Sequence, residues 1–333
     1  MLRTEYDNVL AALRHLCDTG DAGGAIGLAV NLTWYWQMLG RHPEAAYWLG
    51  EAVAVPAQRP SVEHDIAEGV LLLNTIATQG SLVDDSIEER RALTDRLLSY
   101  PELPGFGGAL TAVGLACLEE IEASPSISRR LVDGPEMIAA ARERALRSAT
   151  PEMAMLLDAR EAGLQMRLGD LDRARELIES AEAELSEQPP FAFDGGQALV
   201  GAVRGALCLE LGDGPGAQET LGRAYAAAVD SKDMPIVATV AVTVAGLAAL
   251  YGQNHDLAVI LGAAARLRGA HDHTDPQVRT LTSRGRAALG DERFAEAYET
   301  GWQLDAPAAL PRTDPARLRR AALPAADTVN HLI

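Results

Sequence analysis

Leu168-Gly169-Asp170-Leu171-Asp172-Arg173-Ala174-Arg175-Glu176-Leu177-Ile178 holds a helix end, a chain reversal and a helix start in one short run. Glycine accepts the left-handed backbone that closes a helix, because it has no Cβ to clash. Beyond the turn, Leu171, Ala174, Leu177, Ile178, Ala181 and Leu185 recur at helical spacing, with Asp172, Arg173, Arg175, Glu176 and Glu179 between them. The pattern is one apolar stripe on a helix with a charged outer face. Ala174, five residues after the glycine, falls where the two helices come closest, and a larger side chain there would push them apart.

The same turn recurs as Leu39-Gly40, Leu211-Gly212, Tyr251-Gly252 and Leu289-Gly290, with Thr19-Gly20 as a weaker copy. Alanine follows five residues later at Ala25, Ala45, Ala217 and Ala295, and six later at Ala258. The second helix carries a small–large–small stripe: Ala45, Leu49, Ala52; Ala174, Ile178, Ala181; Ala217, Leu221, Ala224; Ala258, Gly262, Ala265. Seven residues before the glycine stands a small residue, at Thr33, Ala162, Gly205, Ala245 and Ser283. The turn glycines 169, 212, 252 and 290 are spaced at about 40 residues, and the interval from Gly40 to Gly169 holds room for units near Gly80 and Ser124. That spacing leans toward armadillo or HEAT units, while the turn and the stripe lean toward tetratricopeptide units. The expectation is therefore tetratricopeptide-like pairs with lengthened helices. The fold class is all-α, a right-handed superhelical α-solenoid of about seven helix pairs over residues 1–304, with a loosely ordered tail over 305–333 that holds one short helix at Pro315 to Ala322. One departure stands out: eight residues before the turn glycine, Leu32 and Val244 are apolar but Glu161 and Arg204 are charged.

Helix-start chemistry supports the division. Thr150-Pro151-Glu152, Asp275-Pro276 and Asp233-Met234-Pro235 each place a capping side chain ahead of an early proline, and Pro43-Glu44 opens another helix. The expected helices run over 4–18, 22–39, 43–54, 61–79, 84–99, 106–122, 135–148, 151–168, 171–187, 195–211, 214–230, 235–251, 255–270, 276–289 and 291–303. Val237 to Val244 is β-branched enough for a strand, but Pro235, the alanines and its place in the repeat favour helix.

Composition narrows the function. A net charge of -18 repels phosphate backbones, so direct nucleic-acid binding is not expected. The basic clusters Arg129-Arg130, Arg142 with Arg144 and Arg147, and Arg317 with Arg319 and Arg320 read as solvated faces. Cys17, Cys117 and Cys208 are odd in number and far apart in apolar text, which fits reduced thiols in a cytoplasmic protein. Met1 to Asn8 is too polar for a signal peptide. The longest uncharged run, Met234 to Asn254, has an apolar stretch of only about 15 residues, short of the ~20 a bilayer span needs. It reads as a buried central helix.

Both ends of the chain resemble a known family. Glu5-Tyr6-Asp7-Asn8, Leu10 to Arg14, Gly20-Asp21, Leu28-Ala29, Trp34-Tyr35-Trp36, Leu39-Gly40 and Trp48-Leu49 to Ala52 resemble the segment that follows the nucleotide-binding and winged-helix modules of large bacterial regulators. These are the signal-transduction ATPases of the antibiotic-regulatory-protein and LuxR-like, maltose-activator-like types. Ala258 to Arg268, then Ala287-Ala288-Leu289-Gly290-Asp291 through Phe294, Ala297 and Trp302, resemble them too. The resemblance implies a helical-repeat sensor that takes a small-molecule inducer or partner protein and controls an attached ATPase and DNA-binding module. Neither module is in these residues: there is no Gly-x-x-x-x-Gly-Lys-Ser/Thr stretch and no basic recognition helix. The start at Met1 fits excision at a domain boundary. A stand-alone scaffold binding a partner peptide is the first alternative, and an unrecognised metal-dependent enzyme the second.

Candidate sites are few. Trp34, Trp36 and Trp48, with Tyr35, form an aromatic cluster that either packs the first helix pairs or lines a ligand or partner groove. His271-Asp272-His273-Thr274-Asp275 carries metal-donor types in His271, His273 and Asp275. No other His or Cys clusters with it, and Asp275 is placed to cap the next helix, so it reads first as a polar connection. Met153, Met155 and Met166 read as core filling. The acid pairs Asp84-Asp85, Glu88-Glu89 and Glu119-Glu120 have no His, Ser or Lys placed to join them. No catalytic residue and no cofactor is expected.

Overall fold

The computed structural model describes residues 2–56, 61–79, 151–186, 194–271 and 275–319, with scattered positions from 92 to 111. Its continuous helices are α1 (Leu2–Thr19), α2 (Ala22–Met38), α3 (His42–Ala54), α4 (Val62–Gln79), α5 (Pro151–Leu168), α6 (Leu171–Ser186) and α7 (Asp194–Glu210). They continue as α8 (Gly214–Ser231), α9 (Met234–Leu250), α10 (Asn254–Arg268), α11 (Pro276–Leu289), α12 (Asp291–Trp302) and the short α13 (Ala306–Arg312), with a 3-10 turn at Pro315–Arg317. Among the described residues there is no strand, so the chain is all-α. No helix there is long and apolar enough to cross a membrane. The units expected near Gly80 and Ser124, and the helices over 106–122 and 135–148, lie outside or mostly outside the described residues.

The glycine turns form as the repeat requires. Gly20, Gly40, Gly169, Gly212, Gly252 and Gly290 all take positive φ, between 59° and 85°. At three of the six an aspartate one residue on caps the next helix: Asp21 accepts from the Gly24 N–H, Asp170 from Arg173 and Asp213 from Gly216. The turn alanines Ala25, Ala45, Ala174, Ala217 and Ala258 are all fully buried. Opposite them, Gly205 leaves room for Leu221, whose side-chain carbon would sit 2.6 Å from any Cβ added there.

The last unit breaks the pattern for a reason that can be traced. Gly290 caps the end of α11 and the start of α12, so that turn is one residue shorter. The buried fourth helical position is then Phe294, not the expected Ala295, which is exposed. Space for the ring comes from Gly285, where a Cβ would lie 2.6 Å from the Phe294 ring. Ser283, expected to be the small buried residue, is exposed.

Contacts run along the chain in hairpins. α5 pairs with α6, α7 with α8 and α9 with α10, while the first helices of successive hairpins touch: α5 with α7, α7 with α9 and α9 with α11. The central α9, read above as a buried helix, is covered on nearly every side: Val237 to Ala249 are buried except Thr239. The two charged residues at apolar repeat positions are both paired. Arg204 grips Glu182 on the neighbouring hairpin with two guanidinium nitrogens, at 3.0 and 2.5 Å. Glu161 lies 3.9 Å from Arg173.

Two contacts reach far beyond the hairpins. α10 meets α4, and the α2–α3 turn meets the turn between α8 and α9. At the second, a Cβ on Gly40 would stand 2.8 Å from both the Asp233 Cα and the Lys232 carbonyl oxygen, so two backbones touch. The N-terminal helices therefore fold back onto the C-terminal hairpins.

Residues 305–319 were expected within a loose tail, and they are packed instead. Ala309 and Thr313 are fully buried and Leu318 is nearly so. Asp305 and Asp314 cap the two short elements, each followed closely by a proline. The strap is pinned by side chains from the repeats: the Tyr225 hydroxyl donates to Leu310 O (2.8 Å), and the Gln218 amide to Pro315 O (2.9 Å) and Leu318 O (3.2 Å). Gln218 also accepts from the Tyr251 hydroxyl at 3.2 Å. Gln218→Ala is expected to lower unfolding stability by about 2 kcal/mol, because it strips partners from two carbonyls and a hydroxyl at once. Urea denaturation checks this, and limited proteolysis should show earlier nicking after residue 304.

Candidate functional site

The aromatic cluster separates by burial. Trp36 is fully buried and its indole N–H donates to the Tyr6 hydroxyl at 2.6 Å. Trp48 is 6% exposed, with the Arg14 guanidinium over its ring. Tyr6 packs tilted against Tyr35, with ring centroids 4.9 Å apart, and the Arg41 guanidinium lies over the Tyr6 ring. These residues join α1, α2 and α3 into one core, with burial holding the Tyr6 hydroxyl above its ordinary pKa. Trp34 points the other way, at 51% exposed, and Tyr47 on α3 is 57% exposed. Of the three tryptophans singled out from sequence, only Trp34 offers a surface to a ligand.

The metal candidates are held by structural tasks. The His271 Nδ1 lies 2.8 Å from the Tyr298 hydroxyl, and its ring packs on Trp302 with centroids 4.0 Å apart. Asp275 accepts from the Gln277 and Val278 N–H groups at the start of α11. His273 lies outside the described residues. A second group, His64, Asp65 and Glu68, brings three donor atoms within 4.8 Å of one another on α4. Arg96 already fills it: Nε lies 3.1 Å from Asp65 and Nη2 2.5 Å from Glu68, and the Tyr100 hydroxyl donates to Asp65 at 2.8 Å. A metal would have to displace that guanidinium. The His-Asp-x-x-Glu spacing was the available sequence signal, but the distant Arg96 was not readable.

The fold-back contact contains a cluster of three buried polar side chains. His42, the first residue of α3, is 6% exposed, Asn74 on α4 is 1% and Asp233 is 3%. His42 Nε2 lies 2.8 Å from Asp233 Oδ2 and Nδ1 2.9 Å from Asn74 Oδ1. The Asn74 NH2 donates to Val70 O at 2.8 Å, and Gln37 donates to the same Asn74 oxygen at 3.1 Å. The other Asp233 oxygen, Oδ1, caps α9 by accepting from the Ile236 N–H. Burial pushes the His42 imidazole down, but the hydrogen bond and charge of Asp233, with Asn74, outweigh it, and the net displacement is upward. Sequence reading treated Asp233 only as a cap and did not single out His42. The two are 191 residues apart, so no local pattern joined them.

A cavity of about 300 Å³ opens between α10 and the C-terminal strap, lined by Asp256, Val259, Ile260, Arg312, Arg317 and Leu318. Its lining sets the apolar Val259, Ile260 and Leu318 beside two arginines and one carboxylate, Asp256. The two arginines outnumber the one carboxylate, which suits an acidic group such as a carboxylate or phosphate. No family model and no curated protein matches the chain.

Proposed function

We propose that this chain is the sensor and interaction domain of a bacterial transcriptional regulator, working in the cytoplasm and controlling an ATPase and DNA-binding module encoded with it. The reading rests on the family resemblance at both ends, on the paired helices that stack along the chain, and above all on the fold-back contact at Gly40 and His42. A sensor needs two arrangements whose balance a ligand can bias. A contact between distant parts of one chain, made by few residues, is such a balance point. In this reading the helix pairs form a right-handed tetratricopeptide-like solenoid, and the cavity beside Arg312 and Arg317 takes the acidic group of a small inducer. The domain binds and transmits, and does not catalyse.

A direct test is the reading frame that holds these residues. It is expected to encode a phosphate-loop ATPase and a DNA-binding module ahead of them. Deleting residues 2–319 from that frame should make a promoter reporter insensitive to inducing conditions. A frame without those modules would remove the regulator reading. It would leave the adaptor reading, which the exposed Trp34 and Tyr47 favour as a surface for a partner peptide.

A further inference from the structure

Both ring nitrogens of His42 face oxygen acceptors. Which atom of Asn74 faces the ring is decided by its other contact: its NH2 is needed at the Val70 carbonyl, so the oxygen must face His42. Asp233 Oδ2 carries no proton to offer when ionised. An imidazole with a hydrogen on only one nitrogen would leave a lone pair facing an oxygen in a nearly waterless site. The geometry fits an imidazolium, with one N–H to each partner. Among the described residues no other charge intrudes: α2 offers the neutral Gln37, and α4 the neutral Asn74. On α3 itself Arg41 is paired with Glu44 at 3.0 Å. In the α8–α9 turn, Lys232 is exposed and only its backbone meets Gly40.

We propose that His42 is held as an imidazolium and that the closure of the N-terminal helices on the α8–α9 turn is a pH-operated latch, shut while His42 keeps its proton and released when it loses it. The proposal goes beyond the regulator reading and does not depend on it. The sign follows from linkage. The His42 pKa is raised in the closed form, so closure is strongest below the ordinary histidine value of about 6.5 and is lost as pH rises through the raised one. Between those two values each pH unit raises the open fraction about tenfold.

The chain supplies its own probe. Lys232 is its single lysine, and the bond after it lies under Gly40 in the closed latch. A lysine-specific endoproteinase should cut the full chain there, at a rate normalised to a free peptide spanning residues 228–238. The normalised rate is expected to rise about tenfold per pH unit above roughly pH 6.5 and then level off. Asp233→Asn gives the discriminating result. Its amide oxygen can keep the α9 cap while its NH2 faces the ring and donates to a neutral imidazole. The pH dependence should therefore reverse in D233N, with cleavage slowest at high pH, measured against a peptide carrying the same change. A flat wild-type profile, or a D233N profile with the wild-type slope, overturns the latch. If D233N fails to fold, histidine-labelled wild-type protein decides: 15N signals from both His42 ring nitrogens protonated at neutral pH are expected, and a neutral tautomer overturns the proposal.

Discussion

Gly301→Ala is expected to cost about 3 kcal/mol of unfolding stability, the upper part of the range for forcing extra volume into a packed core. α10 and α12 cross with their backbones in contact. A Cβ on Gly301 would collide with the Val259 carbonyl and lie 2.7 Å from the Ala263 nitrogen. From the other helix, a Cβ on Gly262 would collide with the Tyr298 carbonyl and lie 2.9 Å from the Trp302 nitrogen. Neither obstacle is the end of a side chain that could turn aside, so the helices must separate. Gly262→Ala should cost a similar amount. Separation would also disturb the ring contact of His271 with Trp302. Gly222→Ala on α8 is the control: it meets nothing within 4 Å and should gain roughly 0.5–1 kcal/mol from helix propensity. Urea titration followed by far-ultraviolet circular dichroism measures all three. A Gly301→Ala protein as stable as wild type would mean the two helices do not cross this closely.

Trp36→Ala is the second large effect, expected at about 4 kcal/mol. The indole is fully buried, and its removal opens a cavity among α1, α2 and α3 and leaves the Tyr6 hydroxyl without its donor. Trp34→Ala, two residues away and half exposed, should change stability by no more than about 0.5 kcal/mol. The same pair of variants separates packing from recognition. If the adaptor reading holds, Trp34→Ala lowers partner affinity while leaving the melting curve in place. Intrinsic fluorescence offers a second readout, since Trp36 should emit from a dry environment and Trp34 from a wet one.

These two tryptophans also show what could be read from sequence. The repeat was legible because each turn is local: glycine, cap and small residue all fall within a few positions, and their physics does not depend on the rest of the chain. That is why Ala174, Ala217 and Ala258 are buried where the spacing put them. The error at Ala295 came from one missing turn residue, which moved Phe294 inward and shifted the small residue to Gly285. In the strap at 305–319 the short helix expected from Pro315 is a 3-10 turn over Pro315–Arg317, and the helix at Ala306–Arg312 was missed because it is too short for a periodic pattern, although Asp305 carried the capping signal. For the candidate site the limit was different in kind. Trp34, Trp36 and Trp48 were grouped by type, and only burial separates them. His42, Asn74 and Asp233 are ordinary residues in sequence, and their chemistry exists only once the chain has folded back.

That return path sets a timetable for synthesis. His42 and Asp233 are 191 residues apart, and a ribosome adds roughly 5–20 residues per second. The first helices therefore wait about 10–40 s for their partner to be translated. Through that interval Asn74 and His42 stand on an unfinished face, hydrated and without their partner. The nascent chain is most open to chaperones, and to mispairing with a neighbouring copy, before the second half arrives to cover it.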